Sequence, residues 1–510
     1  MRPLTSISED RRTAAPQPTA APVPAQRRWT SLAFVSLAQL MVALDATIVS
    51  IALPSAQTGL NASDADRPWV ITAYTLSFGG LLLLGGRFGD FFGRKRTFLV
   101  GLLGFALASA LGGSAPNFAI LVGARALQGA FGALLAPTAL SLLATTFTEP
   151  KERAKAFAVY GAIAGSGAAA GMLLGGVLTQ YLSWRWCLYV NIPIALVAGI
   201  GGWLVLRDSP ATAKPRFDVL GVVLAAAGLV ALVYACTLAA SQGWSSAEVV
   251  SLFAASIALL GLFVAWEARA ANPLLPLHVV LDRNRGGAYL TVALTIAGML
   301  GAFLFLTYYL QVVLRFTPVQ AGLAFLPITV ASQVGSWVIA ARLMPRLPAR
   351  YLMAPGALVA AAGMALLTQL QANSSYLTLV LPAEVLLGLG TSCVMVPAFS
   401  IGTLGVDRRE AGIAAATVNT FQQIGGSLGV AVLNTVAAGA TAALLVVNSH
   451  ERFRIDAIVH GYSIATAWGA AILVVGAVVA AALINAGRPS ARPDERVITH
   501  PPERISRPAG

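Results

Sequence analysis

The most regular feature of the chain is a succession of long apolar runs separated by short polar stretches. Fourteen can be counted, near 31–54, 69–87, 97–114, 118–145, 154–181, 187–206, 218–240, 248–266, 287–313, 321–342, 352–371, 376–400, 411–440 and 461–485. Roughly 20 apolar residues span the hydrocarbon core of a bilayer as a helix. Several runs hold many Gly and Ala residues, which suit close helix packing in lipid better than they suit a soluble helix. The pattern predicts an all-α membrane protein with fourteen transmembrane helices.

Composition agrees: 57% of the 510 residues are hydrophobic and only 11% are charged. The net charge of +13 could point to a nucleic-acid partner, but its placement gives a simpler reading. With the amino terminus in the cytoplasm, 28 of the 34 Lys and Arg fall on cytoplasmic segments: five ahead of the first run, eighteen in loops and five in the tail. The positive-inside rule accounts for this asymmetry without a polyanion. It predicts both termini in the cytoplasm and the inner (cell) membrane as the location.

Residues 1–30 are rich in Pro, Ala and Arg and read as a disordered cytoplasmic tail, as do 486–510. Neither resembles a signal peptide; the small-residue stretch Ala52 to Gln57 follows a run that carries Asp45 and is longer than a usual signal core. Cys187, Cys236 and Cys393 lie in or beside runs without metal-ligand spacing, so packing is their expected role.

One loop stands out. "GGRFGDFFGRKRT", Gly85 to Thr97, joins the second and third runs and fits G-x-x-x-D-x-x-G-R-K-R through Gly86, Asp90, Gly93, Arg94, Lys95 and Arg96. Gly86 permits close approach of a neighbouring helix, Gly93 permits a tight turn, and Asp90 can pair with Arg or with a positive helix N-terminus. Topology alone explains the three consecutive bases; it does not explain Asp90.

This loop resembles the cytoplasmic motif of the major facilitator superfamily, and other stretches extend the likeness to its fourteen-helix drug:proton antiporter branch. "LDATIVSIALP" (Leu44 to Pro54) is similar to the first-helix motif, with Ser50 where Asn is usual, and "RALQGAFGA" (Arg125 to Ala133) to the R-x-x-Q-G motif. "WRWCLYVNIPIAL" (Trp184 to Leu196) resembles W-R-W-x-F-x-x-N-x-P, and "YYLQVVLRFTPVQAGLAFLP" (Tyr308 to Pro327) the ninth-helix segment. The fifth run departs from the pattern: Gly171-Met172 stands where the branch usually has Gly-Pro. The resemblance implies a transporter of the major facilitator fold, with Gly86, Asp90, Gly93 and Arg94 as a cytoplasmic latch.

Internal repetition points the same way. About 255 residues beyond the loop, "ARLMPRLPAR" (Ala341 to Arg350) keeps the bases but has Pro345 in place of the acid. At an offset of 259, Arg125 and Gly129 fall on Glu384 and Gly388. The expected domains are a six-helix bundle over 31–206, two inserted helices over 207–286 and a second six-helix bundle over 287–485.

Three ionisable residues sit well inside runs: Asp45, Arg125 and Glu384. Counted from the outer helix ends they lie at roughly 13, 10 and 12 Å depth, one layer. Each costs at least about 2.5 kcal/mol at a bilayer centre, so they should face a cavity or one another. Asp45 and Arg125 are read either as an ion pair locking the first run to the fourth, or as a proton site whose affinity Arg125 sets. Glu384 is read as a second proton site, an attraction point for a cationic substrate, or a structural residue. One charge crossing 100 mV releases about 2.3 kcal/mol, roughly a forty-fold gradient at 1.4 kcal/mol per decade. A proton gradient is therefore sufficient fuel; no cofactor is expected, and no nucleotide-binding G-x-x-x-x-G-K-[ST] loop is present in the sequence.

Gln39, Tyr308, Gln311, Asn419, Gln422 and Gln423 are the candidate substrate contacts, the best being the stretch "NTFQQIGGSLG" (Asn419 to Gly429). Each taken singly also fits interhelical glue. A cavity lined by aromatic and a few polar groups suits amphipathic organic molecules. The expected function is export of lipophilic drugs or toxic compounds, cationic ones included, in exchange for protons, by a monomer with no nucleic-acid partner. A dedicated exporter of a self-made antibiotic or siderophore is the alternative, and a transport-inactive sensor a remote one. An enzyme is not expected: Asp45 and Glu384 lie in different halves, and His278, His450, His460 and His500 all fall outside the runs.

Overall fold

The structure, a computed structural model, describes residues 25–485 apart from 64–65, 148, 207–217, 271–272, 274, 276, 403–410 and 448–453. Among the described residues the regular structure is entirely helical. The membrane-length helices are α1 (Ala25–Gly59), α2 (Trp69–Phe92), α3 (Arg94–Gly113), α4 (Phe118–Thr146), α5 (Pro150–Tyr181), α6 (Trp186–Val205) and α7 (Val219–Gln242). They continue as α8 (Ala247–Glu267), α9 (Arg283–Val313), α10 (Pro318–Leu343), α11 (Arg350–Leu367), α12 (Tyr376–Gly402), α13 (Ala411–Val447) and α14 (Arg454–Leu483). Thirteen are long and apolar enough to cross a membrane, and α2 carries a shorter apolar stretch, Trp69–Leu82. The chain is a multi-pass membrane protein.

Helix ends follow local chemistry. Asn117, Asp218, Ser246 and Asp282 each accept a backbone N–H at the start of α4, α7, α8 and α9, satisfying a donor that a helix start leaves open. Thr317 and Gln320 form a reciprocal capping box at α10. Gly93, at φ 89°, makes the one-residue turn between α2 and α3, a backbone conformation that other residues adopt only at a cost. The tail expected to reach residue 30 ends sooner, because α1 begins at Ala25. There Arg27 donates to the Val205 carbonyl (3.0 Å), Arg28 pairs with Glu152 (2.7 Å) and Trp29 packs edge-on against Phe147.

The packing repeats itself. α1 lies on α5 and α6, α2 on α4, and α3 on α4 and α6; eight helices later α9 lies on α13 and α14, α10 on α12, and α11 on α12 and α14. At equivalent crossings the helices touch backbone to backbone. A methyl group at Gly129 would stand 2.3 Å from the Tyr74 carbonyl oxygen, and one at Gly388 would stand 2.3 Å from that of Ile328. Between the two groups runs a seam in which α5 meets α10 and α2 meets α13, while α7, with α8 beside it, covers α2 and α13.

Candidate functional site

The first polar cluster is buried inside the first group of helices. Asp45 of α1 and Gln128 of α4 are 0% exposed and Arg125 of α4 only 2%. Arg125 Nη1 donates to Asp45 Oδ2 at 2.5 Å. Asp45 Oδ1 accepts from Gln128 Nε2 (3.1 Å) and from Asn191 Nδ2 of α6 (2.7 Å). The remaining capacity of Arg125 is spread over the Val70 carbonyl (3.1 Å), Gln128 Oε1 (2.9 Å) and the face of Tyr74, 4.3 Å from its guanidinium carbon. Gln128 also donates to Ser109 of α3 at 2.7 Å. Five helices thus contribute to the cluster, three of them, α1, α4 and α6, at the carboxylate itself, and charge-assisted bonds of this kind are about twice as strong as neutral ones. The arrangement ties α1 to α4 and α6.

The sequence motifs contain Gln128 and Asn191, yet their part in this cluster is visible only once α4 and α6 face α1. Ser109 carries no signal of its own, being one small polar residue in an apolar run.

Glu384 of α12 occupies the position equivalent to Arg125 and is also 0% exposed, but its surroundings are different. Its Oε2 stands 3.4 Å from the Tyr376 hydroxyl, and its Oε1 has no hydrogen-bond partner. Among the described residues no cation pairs with it. Tyr376 is committed first to the Ala324 carbonyl, to which it donates at 2.7 Å. The structure therefore does not bring Glu384 together with Asp45 and Arg125; the layer holds two separate centres.

Of the latch residues, Gly93 forms the turn and Arg94 opens α3. Gly86 and Asp90 belong to α2, but lie outside the residues whose side-chain surroundings are described. Thr97 ties the first turn of α3 to the end of α2 through the Phe88 carbonyl at 3.2 Å. Met172, where the antiporter branch usually has Pro, leaves α5 continuous from Pro150 to Tyr181.

The candidate substrate residues divide into two sets. Gln39, Asn419, Gln422 and Gln423 are partly buried; Gln39 accepts from Tyr160 at 2.6 Å, and Gln423 packs over Gly79 across the seam. Tyr308 and Gln311 lie instead in the seam at the end of the bundle remote from the termini. There Tyr308 donates to Gln57, Gln311 donates to the Ile51 carbonyl (2.9 Å), and Arg67 lies 4.0 Å over the Tyr308 ring while donating to Tyr462 (3.2 Å). Thr75 and Ser427 (2.7 Å), and Val319 N–H with Gln180 (3.2 Å), add to this closed end.

A two-part helical bundle with membrane-buried ionisable groups and a seam between the parts is the architecture of a membrane transporter. Residues 35–430 match the Major Facilitator Superfamily, and the chain belongs to that family. It is 53% identical over 465 residues to the puromycin resistance protein pur8 of Streptomyces alboniger, covering 91% of this chain and 92% of that protein. The cephamycin export protein CmcT of Amycolatopsis lactamdurans is 39% identical, over 81% of this chain and 85% of its own length. The multidrug efflux pump LfrA of Mycolicibacterium smegmatis is 31% identical, over 80% and 81%. Among solved structures, a bacterial homolog of the human lysosomal transporter Spinster shares the fold at TM-score 0.65 and 15% identity, covering 90% of this chain and 97% of its own. The POT family transporter PepTSo does so at TM-score 0.66 and 15% identity, over 89% and 97%.

Proposed function

We propose that the protein exports a lipophilic antibiotic, of the class that includes puromycin, in exchange for protons. Similarity at 53% identity along nearly the whole length to a puromycin resistance protein supports this substrate class. The observation that carries the coupling is Glu384: a fully buried carboxyl with one oxygen unbonded and, among the described residues, no cation against it. Leaving an ion in such a place is expensive, so this conformation suits the proton-bearing form, and a second conformation that wets Glu384 releases the proton.

Asp45, by contrast, is already compensated, and its proposed role is to hold α1 against α4 and α6 while the two halves rock. The end that carries the termini is assigned to the cytoplasm of the inner membrane on the distribution of Lys and Arg. The hydrogen bonds across the far seam hold that end together in this state. The functional unit is a monomer, and the proton gradient is its energy source in place of a cofactor. A dedicated exporter of one self-made antibiotic is the second reading, favoured by relatives such as CmcT that carry export of a single antibiotic in their names.

The test is uptake of radiolabelled puromycin into everted membrane vesicles energised by an imposed pH gradient. Uptake that collapses with a protonophore and is absent in Glu384→Gln is the expected result. Uptake indifferent to the gradient refutes the coupling, and a panel in which only one antibiotic moves favours the dedicated exporter.

A further inference from the structure

The Tyr376 hydroxyl has one proton to give and two acceptors within reach, the Ala324 carbonyl at 2.7 Å and Glu384 Oε2 at 3.4 Å. Ala324 is not an arbitrary acceptor. α10 is broken at Phe325 into Pro318–Ala324 and Leu326–Val334, so the Ala324 carbonyl belongs to the last turn of a short helix, where carbonyls lack intrahelical partners. That short helix is the part of the second half seated on α5 of the first. Gly322 lies against the Met172 carbonyl, Gly176 against the Pro318 carbonyl, and Val319 N–H on Gln180.

Resting on the proton-driven export proposed above, we propose that Tyr376 is a positioning residue that transmits the proton state of Glu384 to the seam between α5 and α10. With Glu384 protonated, its O–H donates to the Tyr376 oxygen while Tyr376 donates to Ala324, and all three groups are satisfied in series. With Glu384 ionised, a carboxylate and a carbonyl compete for one hydroxyl proton. The charge-assisted bond is about twice as strong, so the hydroxyl turns to Glu384 and strands the Ala324 carbonyl. The short helix then loses its anchor and the far seam is freed to part. No covalent bond changes; the only transferred species is the proton gained or lost by Glu384.

The sign suits an exchanger. A proton taken up from outside closes the far end, and its loss to the inside, when substrate loads, permits the far end to open again. The helices packed on α12 are α9, α10, α11 and α13. Tyr289, Tyr308 and Tyr309 of α9 are committed to the Gly402 carbonyl, Gln57 and the Gln371 carbonyl. Arg283 and Arg285 stand in the first turn of α9, Arg350 and Tyr351 in that of α11, and Arg342 near the end of α10. α13 has no titratable residue, and Cys393 lies nine positions along α12 itself. Tyr376 is thus the titratable group placed to answer Glu384.

The test uses full-length protein in lipid nanodiscs, its native cysteines replaced by alanine, with spin labels at Thr58→Cys and Asn373→Cys on opposite halves of the far end. In the parent protein the long-distance population should grow as the pH is raised from mildly acidic to mildly alkaline. Glu384→Gln, which keeps a donor toward Tyr376, should hold the short distance at both pH values. Tyr376→Phe should make the population the same at both, while puromycin added to the unbuffered detergent-purified protein still releases protons. A Tyr376→Phe protein whose distances shift with pH as the parent's do overturns the relay and leaves proton-driven export standing. A parent protein with neither proton release on puromycin nor a pH-dependent distance overturns both.

Discussion

Arg125 and Glu384 occupy equivalent places in the two halves, each four residues before a glycine that presses on a neighbouring backbone, yet their environments are opposites. Around Arg125 both Nε and Nη1 have acceptors, and the carboxylate it serves accepts three hydrogen bonds. Around Glu384 there is one long contact and an orphan oxygen. The duplicated scaffold has thus kept the position and changed its surroundings; in the function proposed above, the paired centre is the clamp and Glu384 the group that changes its proton.

The largest expected effect comes from breaking the clamp. Arg125→Ala leaves Asp45 buried and unpaired, which should cost about 3–5 kcal/mol and appear as loss of folded protein on size exclusion in mild detergent. Replacing both partners, Asp45→Leu with Arg125→Met, should recover most of that stability. Failure of the pair to do so would show that the cluster acts through Gln128 and Asn191 more than through the charges. Next, Asn191→Leu removes one bond to an ion and should lower stability by about 1.5–3 kcal/mol, measured as a shift in thermal melting.

On the other side of the comparison, Glu384→Gln breaks no ion pair and should change stability by less than about 0.5 kcal/mol while abolishing proton-driven transport. A large loss of stability would mean that Glu384 is a clamp too. The smallest structural effect belongs to the loop. Asp90→Asn should leave insertion and melting unchanged and slow transport, and Pro345→Asp should not restore it; normal turnover in Asp90→Asn would reduce the stretch to a topology signal.

Much of this was legible in one dimension because a bilayer imposes a simple rule. Apolar length sets the helices, and any charge inside one is conspicuous, so Asp45, Arg125 and Glu384 declared themselves. What escaped depends on contacts between distant segments. Asn191 and Asp45 are 146 positions apart and meet only through the packing of α6 on α1. Arg67 reads as a loop residue until it lies on Tyr308 and reaches Tyr462, 395 positions away. The break in α10 was not legible in the run 321–342, and nothing local said that the freed carbonyl of Ala324 would be answered by Tyr376.

The glycine crossings have a mechanical consequence. With backbones in contact at Gly129 and Gly388, each half resembles a stiff plate, and α5 alone, at about 1.5 Å per residue, is a 32-residue rib about 48 Å long. The seam between the plates is held by isolated hydrogen bonds, each worth about 0.5–1.5 kcal/mol, and by the close Gly176 and Gly322 contacts of α5 with α10. Parting the halves at this seam would break a few discrete contacts at one stroke and leave the crossings inside each half intact.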